Sequence, residues 1–135
     1  MKISSKSITA IKMFIDLGEH YEEGYISLVD ISNRKEISKK FLEQIVPLYK
    51  KAKLLDCNRG NKGGYKLAKS PTKITLKDIL YISETNLISE ELDKSIVINN
   101  AIEGLNEVVD KYLSSITLES LVDKQKESYI DNYYI

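Results

Sequence analysis

The sequence predicts a mainly α fold with one small β-hairpin, and three observations carry that class. Apolar residues recur at the helical period of 3.6 over most of the 135 residues. Glycines cluster once, in Arg59-Gly60-Asn61-Lys62-Gly63-Gly64-Tyr65, between two short apolar runs. A long apolar-striped segment then fills residues 95–115.

Taken in order, the first helix is expected from about Ser5 to His20, with Ile8, Ile11 and Ile15, and Phe14 nearby, as its apolar face. Ser27-Leu28-Val29-Asp30 is a capping-box variant that opens a short second helix with Leu28 and Ile31 inward. Asn33 to Ile37 makes a turn, and Ser38 caps a third helix that carries Phe41 and Ile45 inward and runs to about Ala52. Pro47 removes the hydrogen bond otherwise offered to the Glu43 carbonyl, so a kink is expected there. Residues 54–58 and 65–68 read as paired strands, and Ser70-Pro71 closes the hairpin. Thr75-Leu76-Lys77-Asp78 repeats the capping pattern and opens a fourth helix through about Ser83. A polar stretch, 84–94, precedes the long helix. Thr117-Leu118-Glu119-Ser120-Leu121 caps one or two further turns, and a polar tail follows. The expected organisation is therefore residues 1–83, a connector 84–94, helices 95–122 and a tail 123–135.

The third helix and the hairpin together form a constellation with chemistry. Lys39, Lys40, Glu43 and Gln44 are left on the outside of a helix capped by Ser38, where amide and carboxylate groups can hydrogen-bond base edges. The glycines sit where a tight hairpin needs positive φ, and Arg59, Asn61 and Lys62 supply polar and cationic groups at its tip, with Tyr65 behind. A major-groove reader beside a minor-groove finger is the arrangement of a winged helix-turn-helix. The stripe Ala101, Leu105, Val108, Tyr112 and Ile116 on the long helix exceeds what a small domain covers, and its expected cover is a second copy.

Zero net charge does not oppose a polyanionic partner, because the charge is segregated. Residues 1–80 carry 16 Lys/Arg against 9 Asp/Glu, and residues 81–135 carry 4 against 11. No apolar run approaches the roughly 18 residues of a membrane span. Met1-Lys2-Ile3 leads into an amphipathic pattern, so a cytoplasmic location is expected. The single cysteine, Cys57, excludes an internal disulfide and leaves no Cys/His cluster for a structural zinc.

These residues, in this order, resemble the IscR, NsrR and CymR family of small dimeric winged-helix transcription regulators over nearly the whole chain. The likeness rests on Met1-Lys2-Ile3-Ser4 with Lys6, on Ser38 and Phe41-Leu42-Glu43-Gln44, on Arg59-Gly60 with Gly63-Gly64-Tyr65, on Ile74-Thr75-Leu76 with Asp78-Ile79, and on Ile116-Thr117-Leu118-Glu119. It implies that Glu43 and Gln44 read bases in the major groove with Lys40 nearby, that Arg59 enters the minor groove, and that a homodimer binds a pseudo-palindromic operator. Two departures stand out: Ser7-Ile8-Thr9 replaces the family's common Gly-Arg-Tyr, and Lys53 stands where a helix-ending glycine is frequent. Cluster-bearing members carry three closely spaced cysteines after the fourth helix, whereas Glu84 to Ser95 has none, so no cofactor is expected. Among cluster-free members the chain resembles the CymR branch, repressors of cysteine metabolism, through Thr117-Leu118-Glu119 and Tyr133-Tyr134-Ile135. That likeness implies a further partner, the cysteine synthase O-acetylserine sulfhydrylase, engaged by Tyr133, Tyr134 and the carboxylate of Ile135.

Each reading has a plainer competitor. Glu43 can simply pair with Lys39 on a solvated face, Arg59 and Lys62 can be solvated charges, and the apolar stripe can pack on its own domain. Cys57 reads as a half-buried apolar residue or as a redox sensor, and His20 as a helix-end charge without further chemistry. Two other function classes remain: a winged-helix interaction module that binds no DNA, and an enzyme. The enzyme is opposed by a single histidine and by the lack of a nucleophile elbow or phosphate loop.

Overall fold

The computed structural model describes residues 2–61, 63–85, 87 and 93–134, without the side chains of 131–134. Lys62, Ile135 and the side chains of Tyr133 and Tyr134, singled out above, lie outside the described residues. The chain runs α1 (Ser5–Glu19), α2 (Leu28–Lys35), α3 (Lys39–Lys51), β1 (Leu55–Asn58), β2 (Gly64–Leu67), α4 (Leu76–Ser83), α5 (Ile96–Ser115) and α6 (Leu118–Tyr134).

Helix α1 starts at Ser4, whose hydroxyl accepts from the Ser7 amide at 3.2 Å. It is covered on several sides at once, by α2, α3, α4, α6 and β2. Its most buried residues are therefore Ala10, Met13, Phe14 and Leu17, while Ile11 and Ile15 pack at the core's edge. Ile8, expected inward, is exposed, because the apolar face is broader than the stripe read from the isoleucines and Ile8 falls beyond its covered part.

Helix α2 keeps its Ser27 cap and extends through Lys35 before Glu36, at φ 54°, turns the chain. The turn thus begins two residues later than the sequence suggested. One contact fixes α2 on α1: Arg34 donates from Nε and Nη2 to the two oxygens of Asp16, both at 2.8 Å. Asp16 is fully buried, and its hydrogen bonds push the Arg34 pKa still higher.

Helix α3 passes through Pro47 without ending, since its outer position costs a single hydrogen bond, and continues to Lys51. Leu42, Ile45, Val46 and Tyr49 are buried beneath it. Tyr49 meets Phe14 edge to face at 4.9 Å and donates from its hydroxyl to the Ile79 carbonyl at 2.8 Å. Lys53 adopts φ 62° just after this helix, the left-handed conformation for which glycine is the usual occupant.

Strands β1 and β2 pair antiparallel, with Leu55 opposite Leu67 and Cys57 opposite Tyr65. Both reciprocal bonds of the capping box at Thr75 and Asp78 form, as the sequence implied. Ser7 is buried and donates to Glu84 Oε1 at 2.6 Å, while the Ser4 amide donates to the same oxygen at 2.7 Å. These bonds latch the start of α1 to the end of α4 and hold the Glu84 carboxyl below its ordinary range. Helices α4 and α5 are joined by Asp110, which pairs with Lys77 at 2.7 Å and accepts from the Tyr81 hydroxyl at 2.9 Å.

The clearest correction concerns the C-terminal segment. The one or two turns expected after Thr117 are a helix of 17 residues, and the presumed tail from 123 is helical through Tyr134. Leu118 and Val122 bury its first turns against α1, where Gly18 makes room: a Cβ at that glycine would lie 2.7 Å from Val122 Cγ2. Farther along, Lys35 Nζ donates to the Tyr129 hydroxyl at 3.2 Å while pairing with Glu19 at 2.6 Å. Beyond Val122 the segment has no apolar period to announce a helix, yet neither proline nor glycine interrupts it.

Removing the guanidinium that neutralises buried Asp16 leaves an uncompensated charge in the core. Arg34→Ala is expected to destabilise the protein by about 3 kcal/mol, the low end for a broken buried pair because Arg34 itself is partly open to water. Urea unfolding of the variant beside the parent measures it.

Candidate nucleic-acid interface

The outer face of α3 presents Lys39, Lys40, Glu43 and Gln44 to solvent. Ser38 starts the helix by accepting from the Phe41 amide at 3.3 Å, and Leu42 and Ile45, fully buried, fix which side faces out. Lys39 Nζ lies 3.7 Å from Glu43 Oε1, so the plain surface pair and a base-reading role fall on the same carboxylate. A pair this exposed is weak, about 0.3–0.5 kcal/mol, and a stronger donor on a partner displaces it readily. Lys40 and Gln44 make no hydrogen bond or ion pair among the described residues.

The hairpin tip holds Arg59, Gly60 and Asn61, all exposed. Its glycines divide the labour differently from the expectation of positive φ throughout. Gly60 alone of the three carries it, at φ 116°. Gly63 and Gly64 are required by close approach instead. A Cβ on Gly63 would sit 2.6 Å from the Asn58 carbonyl oxygen, and one on Gly64 would sit 2.3 Å from that of Ile26.

Ile26 is the residue that the sequence reading missed. Its amide donates to the Tyr65 carbonyl, and the Tyr65 amide donates to its own, both at 2.8 Å. This single bridge adds a third edge to the hairpin and fastens the wing just before α2. An isoleucine two residues after Gly24 and beside the Ser27 cap leaves no sequence signal of such pairing, because one bridge has no alternation to detect.

Tyr65 stands where wing and reader helix meet. Half burial pushes its hydroxyl pKa up, with the neighbouring Cys57 contributing and with Arg59 and Glu43 both within electrostatic reach. The geometry thus brings Glu43, Tyr65 and Arg59 to one side of the domain, with Lys39, Lys40 and Gln44 on the adjoining helix face. Cations and base-edge partners on a helix beside a cationic finger are what groove recognition requires.

A family model described as "Rrf2: Iron-dependent Transcriptional regulator" matches residues 3–124. The chain belongs to the Rrf2 family of transcriptional regulators. It is 32% identical to the HTH-type transcriptional regulator CymR of Bacillus subtilis over 140 residues, covering 100% of both chains. The solved structure of that B. subtilis protein, described as the global cysteine regulator, superposes with a TM-score of 0.81 over 92% of this chain and 98% of that one, at 31% identity. The IscR of T. potens superposes with a TM-score of 0.80 over 95% and 90%, at 33% identity. The oxidised form of Staphylococcus aureus CymR does so at 0.75 over 90% and 96%, at 29% identity. Winged-helix fold and DNA-binding regulation, rather than enzymatic activity, are properties of these relatives and of this Rrf2 chain.

The iron in the family description finds no matching ligand set in this member. Cys57 is the sequence's single cysteine, it is half-buried in β1, and among the described residues no group of three or more His, Cys, Asp or Glu could hold a metal. The stripe assigned to dimerisation is split: Ala101, Leu105, Val108 and Tyr112 are exposed, whereas Ile116 is half-buried and its carbonyl accepts from the Leu76 amide at 2.9 Å.

If the wing's seat is the Gly64–Ile26 approach, Gly64→Ala must push it off. The expected outcome is loss of slow hydrogen exchange at the Ile26 and Tyr65 amides with the helical amides still protected, measured in the absence of DNA. Unchanged protection at both amides would contradict that role for Gly64.

Proposed function

We propose that this Rrf2 chain is a homodimeric, sequence-specific repressor that binds a pseudo-palindromic operator and controls genes of cysteine or sulfur metabolism. The observation that carries the reading is the convergence of the exposed α3 face with the wing tip: Glu43 and Gln44 as base readers, and Lys39, Lys40 and Arg59 as cations. Ser38 orients the reader helix, and Gly63, Gly64, Asn61 and Tyr65 shape and seat the finger, with Lys62 assigned a phosphate contact from its place in the sequence. The exposed residues Ala101, Leu105, Val108 and Tyr112 support the dimer, which spaces two reader helices over two half-sites. The cysteine assignment is supported by the likeness to B. subtilis CymR along the full chain. A cytoplasmic location follows from a DNA partner, and no described helix is long and apolar enough to cross a membrane.

Fluorescence anisotropy on an operator selected from random duplexes, at fixed salt, tests the DNA reading. Glu43→Ala is expected to relax discrimination between sites more than it lowers affinity, since a carboxylate accepts from a cytosine amino group but repels phosphate. Arg59→Ala should weaken every site by roughly 1–3 kcal/mol. Parent-like behaviour of both variants would reject the assignment, and affinity that does not fall steeply with salt would reject DNA as the partner.

The second partner in this proposal is O-acetylserine sulfhydrylase, with Tyr133, Tyr134 and Ile135 as the segment that engages it. Deleting those three residues is expected to abolish binding of the purified enzyme while leaving operator affinity in place. Equal binding by intact and truncated proteins in calorimetric titration would remove this segment from the interface.

A further inference from the structure

Helix α5 has two faces with different fates. Ile102, Asn106, Val109 and Leu113 turn toward the chain's own domain, and Leu113 is buried there. Roughly 100° around the helix, Val97, Ala101, Gly104 and Val108 follow one another at intervals of four, three and four residues, the spacing of a helix–helix seam. This line is open to solvent, with Val97 78% and Val108 66% exposed.

Gly104 gives the seam its meaning. A glycine inside an exposed helix costs about 1 kcal/mol relative to alanine, yet a Cβ at Gly104 would meet no other atom within 4 Å in the protomer. The chain's own packing therefore does not demand a missing side chain. A second backbone lying close across this point does, and the distance between packed helices is set by the side chains at their contact. Val108 and Tyr112, with Ile3 and Ile8 of α1, also wall an apolar groove of about 440 Å³.

From these features we infer that a second copy seats its α5 antiparallel across this one, crossing at Ala101 and Gly104, so that Val97 of each protomer enters the partner's groove beside Val108. The inference rests on the homodimer reading above and deepens it. The seam is symmetric about its midpoint between Ala101 and Gly104, so a two-fold axis there maps it onto itself, Val97 opposite Val108 and Ala101 opposite Gly104. A parallel pairing would set groove against groove and leave Val97 in water. The helix contact alone is about 30 Å long, and the walls contributed by Ile3 and Ile8 extend it toward the roughly 800 Å² per partner of a stable interface. The dimer contact then includes α1 of the DNA-binding domain, outside the stripe read from the sequence.

The test uses the full chain with Cys57→Ala. Val97→Cys and Val108→Cys proteins are made separately, mixed and oxidised. Within one helix the two positions are about 16 Å apart, too far for a disulfide, so a 97–108 bridge can form only between protomers. The expected result is a mixed disulfide dimer formed faster than either homodimer. A companion variant, Gly104→Leu, is expected to weaken association by roughly tenfold or more, the effect of overpacking a close crossing, with helicity by circular dichroism undiminished. A dimer in sedimentation equilibrium that Gly104→Leu leaves intact, or that bridges 97 to 97 in preference to 97 to 108, overturns the crossing and leaves the homodimer standing. A monomer at every concentration overturns both.

Discussion

The placement of the reader helix depends on a charge in the core. Asp16 is fully buried in α1, a position that is prohibitive for a lone carboxylate and acceptable because the Arg34 fork meets both its oxygens. That fork leaves little freedom in how α2 lies on α1. Ser32 then donates to the Ile37 carbonyl and closes the turn into α3. Once the turn is set, Leu42, Ile45 and Tyr49 have one place to go, over Phe14, and the polar residues of α3 are left outside. The orientation of the DNA-reading side chains is thus inherited from a bond two helices away.

The wing is positioned by a different means, steric permission. Its attachment is one pair of backbone hydrogen bonds between Tyr65 and Ile26, possible because Gly64 carries no side chain. The same residue, Tyr65, projects toward Cys57 and the α3 surface. Helix and finger therefore share a support, and their separation is held by main chain rather than by long side chains.

Much of this was legible in the sequence because the signals are local. Ser4, Ser27, Ser38 and Thr75 all cap as their types and spacing suggest, or open helices within a residue of the expected start. The Gly-rich hairpin was visible, but the reasons for its glycines were not: only Gly60 takes positive φ, and the clashes avoided at Gly63 and Gly64 involve carbonyls that the sequence does not bring together. Asp16 passed as one more polar residue of an amphipathic helix, because its partner is 18 positions away. The exposed face of α5 was legible through its apolar period, whereas the length of α6 was not, since its later turns rest on Lys35, an isolated long-range contact. Of the interface residues, the helix face and Arg59 were accessible by type and position, and Ile26 was not.

The packing of α6 has a thermodynamic consequence. This helix leaves the turn at Thr117, lies on α1 through Leu118 and Val122, and reaches α2 through Tyr129. Gly18 lets the two helices touch so closely that neither keeps its buried surface without the other. A C-terminal segment of this kind does not melt by itself as a frayed appendage would. Its loss uncovers α1, the element on which every other layer of the protomer is stacked, so the last 17-residue helix and the DNA-binding domain belong to one cooperative unit.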